Sequence, residues 1–140
     1  MENCGNGLLM ADRRIFLSYT RDEVPFVRSV AAELRKRGVD AGLKASEIEP
    51  GDLFSERLSE SLRSSSLLVA FIGRAVDSPW MNFEIGAAMG QSKTVLPVFL
   101  SQHARRAAPS VVQGFQGIDA SNLKPEEVAD QIAEVIATAA

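Results

Sequence analysis

Between Ser78 and Gly90 the sequence carries a single ionisable side chain, Glu84, among Trp80, Met81, Phe83, Ile85, Ala87, Ala88 and Met89. Ser78 and Pro79 supply a cap and a first-turn proline, so the spacing predicts a helix through about Met89. At helical spacing Trp80, Glu84, Ala87 and Ala88 share a face, which sets the carboxylate one turn from an indole and beside small apolar residues. A carboxylate so placed is not a solvated-face residue. It can act as a catalytic group at the rim of an aromatic cleft, its proton affinity tuned by that setting. It can equally be a partly buried glutamate paired with an arginine such as Arg74, or one placed for the helix dipole.

Other chemistries lack their residues. No Gly-x-Gly-x-x-Gly follows a strand and no Gly-x-x-x-x-Gly-Lys occurs, which argues against dinucleotide and triphosphate binding of the usual kinds. A phosphoacceptor domain wants a carboxylate at the end of its third strand, where this chain has Ile72, Gly73 and Arg74. A flavin-phosphate loop wants small hydroxyl residues and glycine after the first strand, where Tyr19, Arg21 and Asp22 intervene. One cysteine, Cys4, and one histidine, His103, cannot make a zinc site of the usual ligand set, and no metal is expected. His103, in a polar loop with Arg105 and Arg106, reads as a surface residue. Cys4 cannot form an internal disulfide, which fits a reducing, cytoplasmic setting.

The elements that must position Glu84 alternate in period. Ile15, Phe16 and Leu17 form a short buried strand running into the polar loop Ser18, Tyr19, Thr20, Arg21. Val24, Val27, Val30, Ala31 and Leu34 recur at helical spacing, with Asp22 as cap, Pro25 in the first turn and Gly38 as stop. A weaker strand at residues 39–43 leads through a polar loop to Gly51 and Asp52, which open a helix with Phe54, Leu58 and Leu62 inward. The run from Leu67 to Ile72 is apolar throughout, as a central parallel strand covered on both faces would be. Residues 95–100 form a fourth strand, in which Pro97 argues against a central position along its full length. Residues 101–116 read as irregular and residues 117–119 as a short fifth strand. Pro125 opens a last helix with Val128, Ile132, Val135 and Ile136 inward.

Five strands alternating with helices, without hairpin signals, predict an α/β fold: a doubly wound parallel sheet with helices on both faces. In such sheets ligands gather at the carboxyl ends of strands. The candidate functional segments are therefore residues 18–22, 44–52, 73–80 and 101–106. Residues 1–12 show no period and read as a flexible amino-terminal arm, leaving residues 13–140 as one domain.

The composition agrees. A length of 140 residues, 46% of them hydrophobic and 24% charged, suits one soluble globular domain. Fifteen basic against 18 acidic residues give a net charge of −3, which offers no positive field for a phosphate backbone, so no nucleic-acid partner is expected. No secretory signal is apparent, and the longest apolar run falls far short of the roughly 20 residues of a spanning helix, so no membrane partner is expected either.

Three segments carry a family likeness. Arg14-Ile-Phe-Leu-Ser-Tyr19, Glu47-Ile-Glu-Pro-Gly-Asp52 and Ser78-Pro-Trp-Met-Asn-Phe-Glu84 resemble, in order and spacing, the signature segments of Toll/interleukin-1 receptor (TIR) domains, over about residues 13–136. The resemblance implies a flavodoxin-like five-stranded sheet. It also implies that Glu47, Ile48, Pro50, Gly51 and Asp52 lie in the loop that members use for self-association. Trp80-x-x-x-Glu84 resembles the motif of members that cleave NAD+, which makes NAD+ the implied substrate, requires no cofactor, and gives Glu84 the role of catalytic glutamate.

The chemistry fits that implication. Nicotinamide leaves as a neutral base, so breaking its ribosyl bond needs little acid assistance but builds positive charge on the ribose. A fixed carboxylate accepting hydrogen bonds from the ribose hydroxyls can orient the sugar and offset that charge. Trp80 would wall the ribose or nicotinamide. Ser18, Tyr19, Thr20 and Arg21 offer hydroxyls, a guanidinium and a helix amino end to the pyrophosphate or adenine half. Lys44 stands where relatives often carry an acidic residue and is a further substrate contact.

Two functions follow: an NAD+ glycohydrolase or ADP-ribosyl cyclase in immune or defence signalling, and a non-enzymatic adaptor acting through TIR–TIR contacts. They are compatible, because a cleft completed by a neighbouring subunit makes activity depend on assembly. The domain leaves no room for a sensor, so a separate partner or a fused module is expected. The start at Met1 fits a separate chain or a natural amino-terminal domain.

Overall fold

The computed structural model describes residues 14–42, 62–73, 79–108, 112 and 115–139, with the backbone alone for 79–81 and 139. The expected arm at 1–12 and the loop at 44–52 lie outside these residues. The strands are β1 (Arg14–Ser18), β2 (Asp40–Gly42), β3 (Leu67–Ile72), β4 (Thr94–Phe99) and β5 (Ile118–Asp119). The helices among the described residues are α1 (Val24–Lys36), α2 (Pro79–Gly90), α3 (Gln102–Ala107) and α4 (Pro125–Ala139).

All pairings are parallel, in the order β2-β1-β3-β4-β5, so β1 and β3 lie inside the sheet. Their ladder matches Ile15 with Leu67 and Ser18 with Ala70. Strand alternation then sorts the core into two layers. Ile15, Leu17, Val69, Phe71 and Val98 face α1 and α4, packing on Val27, Leu34, Val128 and Ile132. Phe16, Leu68, Ala70, Ile72 and Phe99 face the other way, onto Ile85 and Ala88 of α2 and Ala104 of α3. A helix layer covers each face of the sheet, as the alternating periods predict.

Local chemistry sets the element ends. After α1, Gly38 at φ 81° sends its N–H to the Arg35 carbonyl while Val39 bonds to Leu34, a glycine-terminated helix stop that turns the chain into β2. Ser92, at φ 59°, makes the same stop after α2, with Lys93 bonding back to Ala88. Asp22 does not cap α1 as the sequence implies. A 3-10 turn, Arg21–Glu23, intervenes and α1 begins at Val24 with Glu23 in the capping position. Pro25 has no N–H for an Asp22 side chain to bind, which removes one of the two donors such a cap would use.

Two further differences have simple causes. The stretch read as irregular contains α3, whose first turn is capped by Ser101 Oγ accepting from Ala104 N–H at 3.0 Å. Six residues with one buried position, Ala104, are too few to show a period. Pro97 sits opposite Ala70 in β4, yet β5 pairs only with Val98 and Phe99, so β4 is flanked on that side only beyond the proline. Gly117 lies against Pro97 there: a Cβ would stand 2.7 Å from the Pro97 carbonyl oxygen and 2.8 Å from the Phe99 ring.

Candidate active site

Glu84 has no exposed surface. It lies on α2 just before Ile85 and one turn ahead of Ala88, the residues that seat the helix on the Phe16 and Ala70 face of the sheet. Phe16 and Ser18 are two apart in β1 and so point to that same face. The result is a contact between positions 66 residues apart: the Ser18 hydroxyl donates to Glu84 Oε1 at 2.6 Å, with both side chains fully buried. That length falls in the range of a charge-assisted O–H···O⁻ bond. A serine at the carboxyl end of β1 is thus a partner of the helix carboxylate. Arg74, the alternative sequence suggestion, lies outside the described residues.

The strand period also divides the residues that the sequence groups as one loop. Tyr19 is buried with Ile15 and Leu17 in the layer beneath α1, which sets it apart from the Ser18 and Glu84 side. Thr20 is half-buried; its Oγ1 is buried and meets no hydrogen-bond partner among the described residues. Arg21 is exposed at the start of the 3-10 turn. Trp80 is placed in the first turn of α2 by its backbone, one helical turn ahead of Glu84. Lys44, Glu47, Ile48, Pro50, Gly51 and Asp52 lie outside the described residues. His103 is exposed, as expected.

One carboxylate at this end of the sheet escaped the sequence reading. Glu23, in the turn after β1, lays its side chain over Gly73 at the end of β3, where an added Cβ would run into the carboxylate. No spacing signals this contact, because it depends on β3 lying beside β1. Farther along the same end, Asp119 accepts from Ser121 N–H at 3.1 Å, from the Ser121 hydroxyl, and from Gln102 Nε2 at 3.1 Å. The Ser121 hydroxyl, then its backbone N–H, hold the Asp119 carboxyl below its usual range. These bonds tie α3 to the end of β5. They make Asp119 a structural carboxylate.

A cavity of about 420 Å³ lies elsewhere, at the amino-terminal ends of β4 and β5 against α4, where it is lined by Thr94, Leu96, Gln116, Gln131, Glu134 and their neighbours. Ser18 and Glu84 belong to the opposite end of the sheet, the end at which ligands of this architecture gather.

A signature of the TIR domain, expressed as a family model, matches residues 15–136. The chain belongs to the TIR domain family. As a TIR domain it shares its fold with the TIR domain of the Toll-related receptor TRR-2 from Hydra magnipapillata, at 12% identity and a TM-score of 0.69, covering 87% of this chain and 96% of that one. The TIR domains of the activated Roq1 resistosome, which directly recognises the pathogen effector XopQ, align at 18% identity and 0.68, covering 89% and 99%. BcmB, a CMP N-glycosidase of Clostridium botulinum, aligns at 18% and 0.65, covering 87% and 98%. These are likenesses of fold. No curated protein matches the sequence. Among the described residues of this TIR domain no helix is long and apolar enough to cross a membrane.

Proposed function

We propose that this TIR domain cleaves the bond between nicotinamide and ribose in NAD+, releasing nicotinamide and leaving ADP-ribose or a cyclic isomer. The observation that carries the reading is Glu84: a fully buried carboxylate in an otherwise uncharged helix, bonded by Ser18 at the carboxyl end of the sheet. Burying a carboxylate costs several kcal/mol before compensation, so fold stability alone does not call for one here. Buried carboxylates with a specific hydrogen-bond partner are among the groups that enzymes tune for chemistry.

In this mechanism Glu84 accepts hydrogen bonds from the ribose hydroxyls. As the neutral base departs, the carboxylate offsets the positive charge that grows on the sugar. Water then attacks the anomeric carbon to give ADP-ribose, or a hydroxyl or ring nitrogen of the adenosine half attacks to close a ring. Trp80 walls the base or sugar, and Thr20, Arg21 and Lys44 serve the remainder of the dinucleotide. The likeness to a CMP N-glycosidase supports the reading at the level of reaction class, since that enzyme is named for N-glycosidic cleavage. The resistosome likeness supports assembly as the activating event in defence, with residues 47–52 as the self-association loop.

The test is nicotinamide release from NAD+ at rising protein concentration, with and without a crowding agent. Activity should rise with assembly, and Glu84→Gln should abolish it; undiminished release by that variant would sink the assignment. The adaptor reading draws support from the likeness to a receptor TIR domain. Absence of turnover under every assembling condition, with partner binding retained, would favour it.

A further inference from the structure

We propose that Ser18 is the positioning residue of the Glu84 carboxylate, a role in which it holds the acid for the ribose instead of meeting the dinucleotide itself. The inference rests on the reading of Glu84 as the ribose-binding group and assigns its support.

A serine hydroxyl has one proton to give. Here that proton goes to Glu84 Oε1 at 2.6 Å, and neither side chain has exposed surface. Both ends of the bond stand on rigid mounts. Ser18 closes β1, which is paired on both sides, with Ala70 of β3 fixed opposite Ser18 itself. Glu84 is carried by α2, which Ile85 and Ala88 seat on the same layer of the core. A glutamate has three side-chain torsions, and packing of the stem does not fix the last of them. A hydrogen bond to Oε1 does: it sets the plane of the carboxylate and leaves Oε2 as the oxygen not engaged by Ser18.

Structural need alone does not explain the pair. The neighbouring positions on this face are Phe16, Leu68 and Ile72, against which an apolar side chain would pack at no desolvation cost. A carboxylate with its own buried hydroxyl donor is instead the arrangement that holds a reacting group to within fractions of an ångström. Misplacement by 1 Å can cost about 100-fold in rate.

Steady-state cleavage of NAD+ by Ser18→Ala tests the role. The expected result is a kcat reduced by about 10- to 100-fold with KM within about threefold of the wild type. Ser18→Thr, which keeps the hydroxyl, should restore most of kcat. A raised KM at unchanged kcat would show that Ser18 contacts the substrate directly and overturn the proposal, as would an unaffected kcat. Thermal melts establish that the variants fold. If the alanine variant does not, Ser18→Cys, a weak donor of similar volume, carries the same expectation.

An activity-independent readout separates this inference from the reading it rests on. The Glu84 carboxyl infrared band, identified by difference against Glu84→Gln, should be displaced by Ser18→Ala and return with Ser18→Thr. A band indifferent to Ser18 overturns the pairing whatever the activity. A displaced band in a protein that releases no nicotinamide retains the pairing and overturns the assignment of Glu84 to the ribose.

Discussion

Phe83 and Glu84 are adjacent in sequence and inverted in environment: Phe83 is 47% exposed, while Glu84 has no exposed surface. Met89, six residues beyond Phe83, is 45% exposed. Helix α2 thus turns large apolar side chains outward and its one charge inward, the reverse of a helix placed by hydrophobic burial alone. The energetic sense is that Ile85 and Ala88 seat the helix while Glu84 is carried at a cost.

That cost makes the first prediction. If Glu84 is retained for chemistry, a neutral side chain of like volume that can still accept from Ser18 should leave the fold intact or stabilise it. Glu84→Gln is expected to melt at or above the wild-type temperature while nicotinamide release is lost, whereas Glu84→Met, which leaves the buried Ser18 hydroxyl without that acceptor, should be less stable than Glu84→Gln by about 1–3 kcal/mol. Were Glu84 a structural ion-pair member, breaking the pair would instead destabilise by about 3–5 kcal/mol. Calorimetry of the two variants separates the cases.

Much of the fold is legible along the chain because burial leaves a period. The unbroken apolar run of β3 marks a strand covered on both faces, and Val128 and Ile132 mark the inner face of α4. Where an element spans fewer than two turns, as the six residues of α3 do, the signal fails. The site is legible only in halves. Glu84 stands out by its apolar neighbours, but its bond to Ser18 depends on which face of β1 receives α2, and no local spacing encodes that. The same two-residue alternation sends Tyr19 into the opposite layer, although in sequence it adjoins Ser18. Strand order accounts for the contact of Glu23 with Gly73 in the same way.

Two glycines should respond differently to the same added methyl group. At Gly117 the Cβ would meet the Pro97 carbonyl at 2.7 Å and the Phe99 ring at 2.8 Å, one a backbone atom of β4 and the other a buried ring, neither free to yield. Gly117→Ala is expected to destabilise by about 1–3 kcal/mol in urea unfolding. At Gly73 the obstacle is the end of the Glu23 side chain and no backbone atom. Gly73→Ala should therefore cost less than Gly117→Ala. Equal losses for the two variants would contradict the geometry.

Acid sensitivity should concentrate in two hydrogen-bonded carboxylates, the exposed Asp119 and the half-buried Glu33. The Ser121 hydroxyl, then its backbone N–H, hold Asp119 below its ordinary value of 3.8, and Arg37, then Lys36, hold Glu33 below 4.5. A carboxylate whose folded value lies below its unfolded one binds fewer protons in the native state. Its contribution is complete above the unfolded value and is lost as pH falls through the folded one. For Asp119 that window opens near pH 3.8 and extends downward; for Glu33 it opens near 4.5. Asp119→Asn should therefore melt below the wild type at neutral pH, and the gap should narrow as pH drops under 3.8. A gap that widens with acid would mean that Asp119 is destabilising when ionised, against the direction set by its bonds to Ser121 and Gln102.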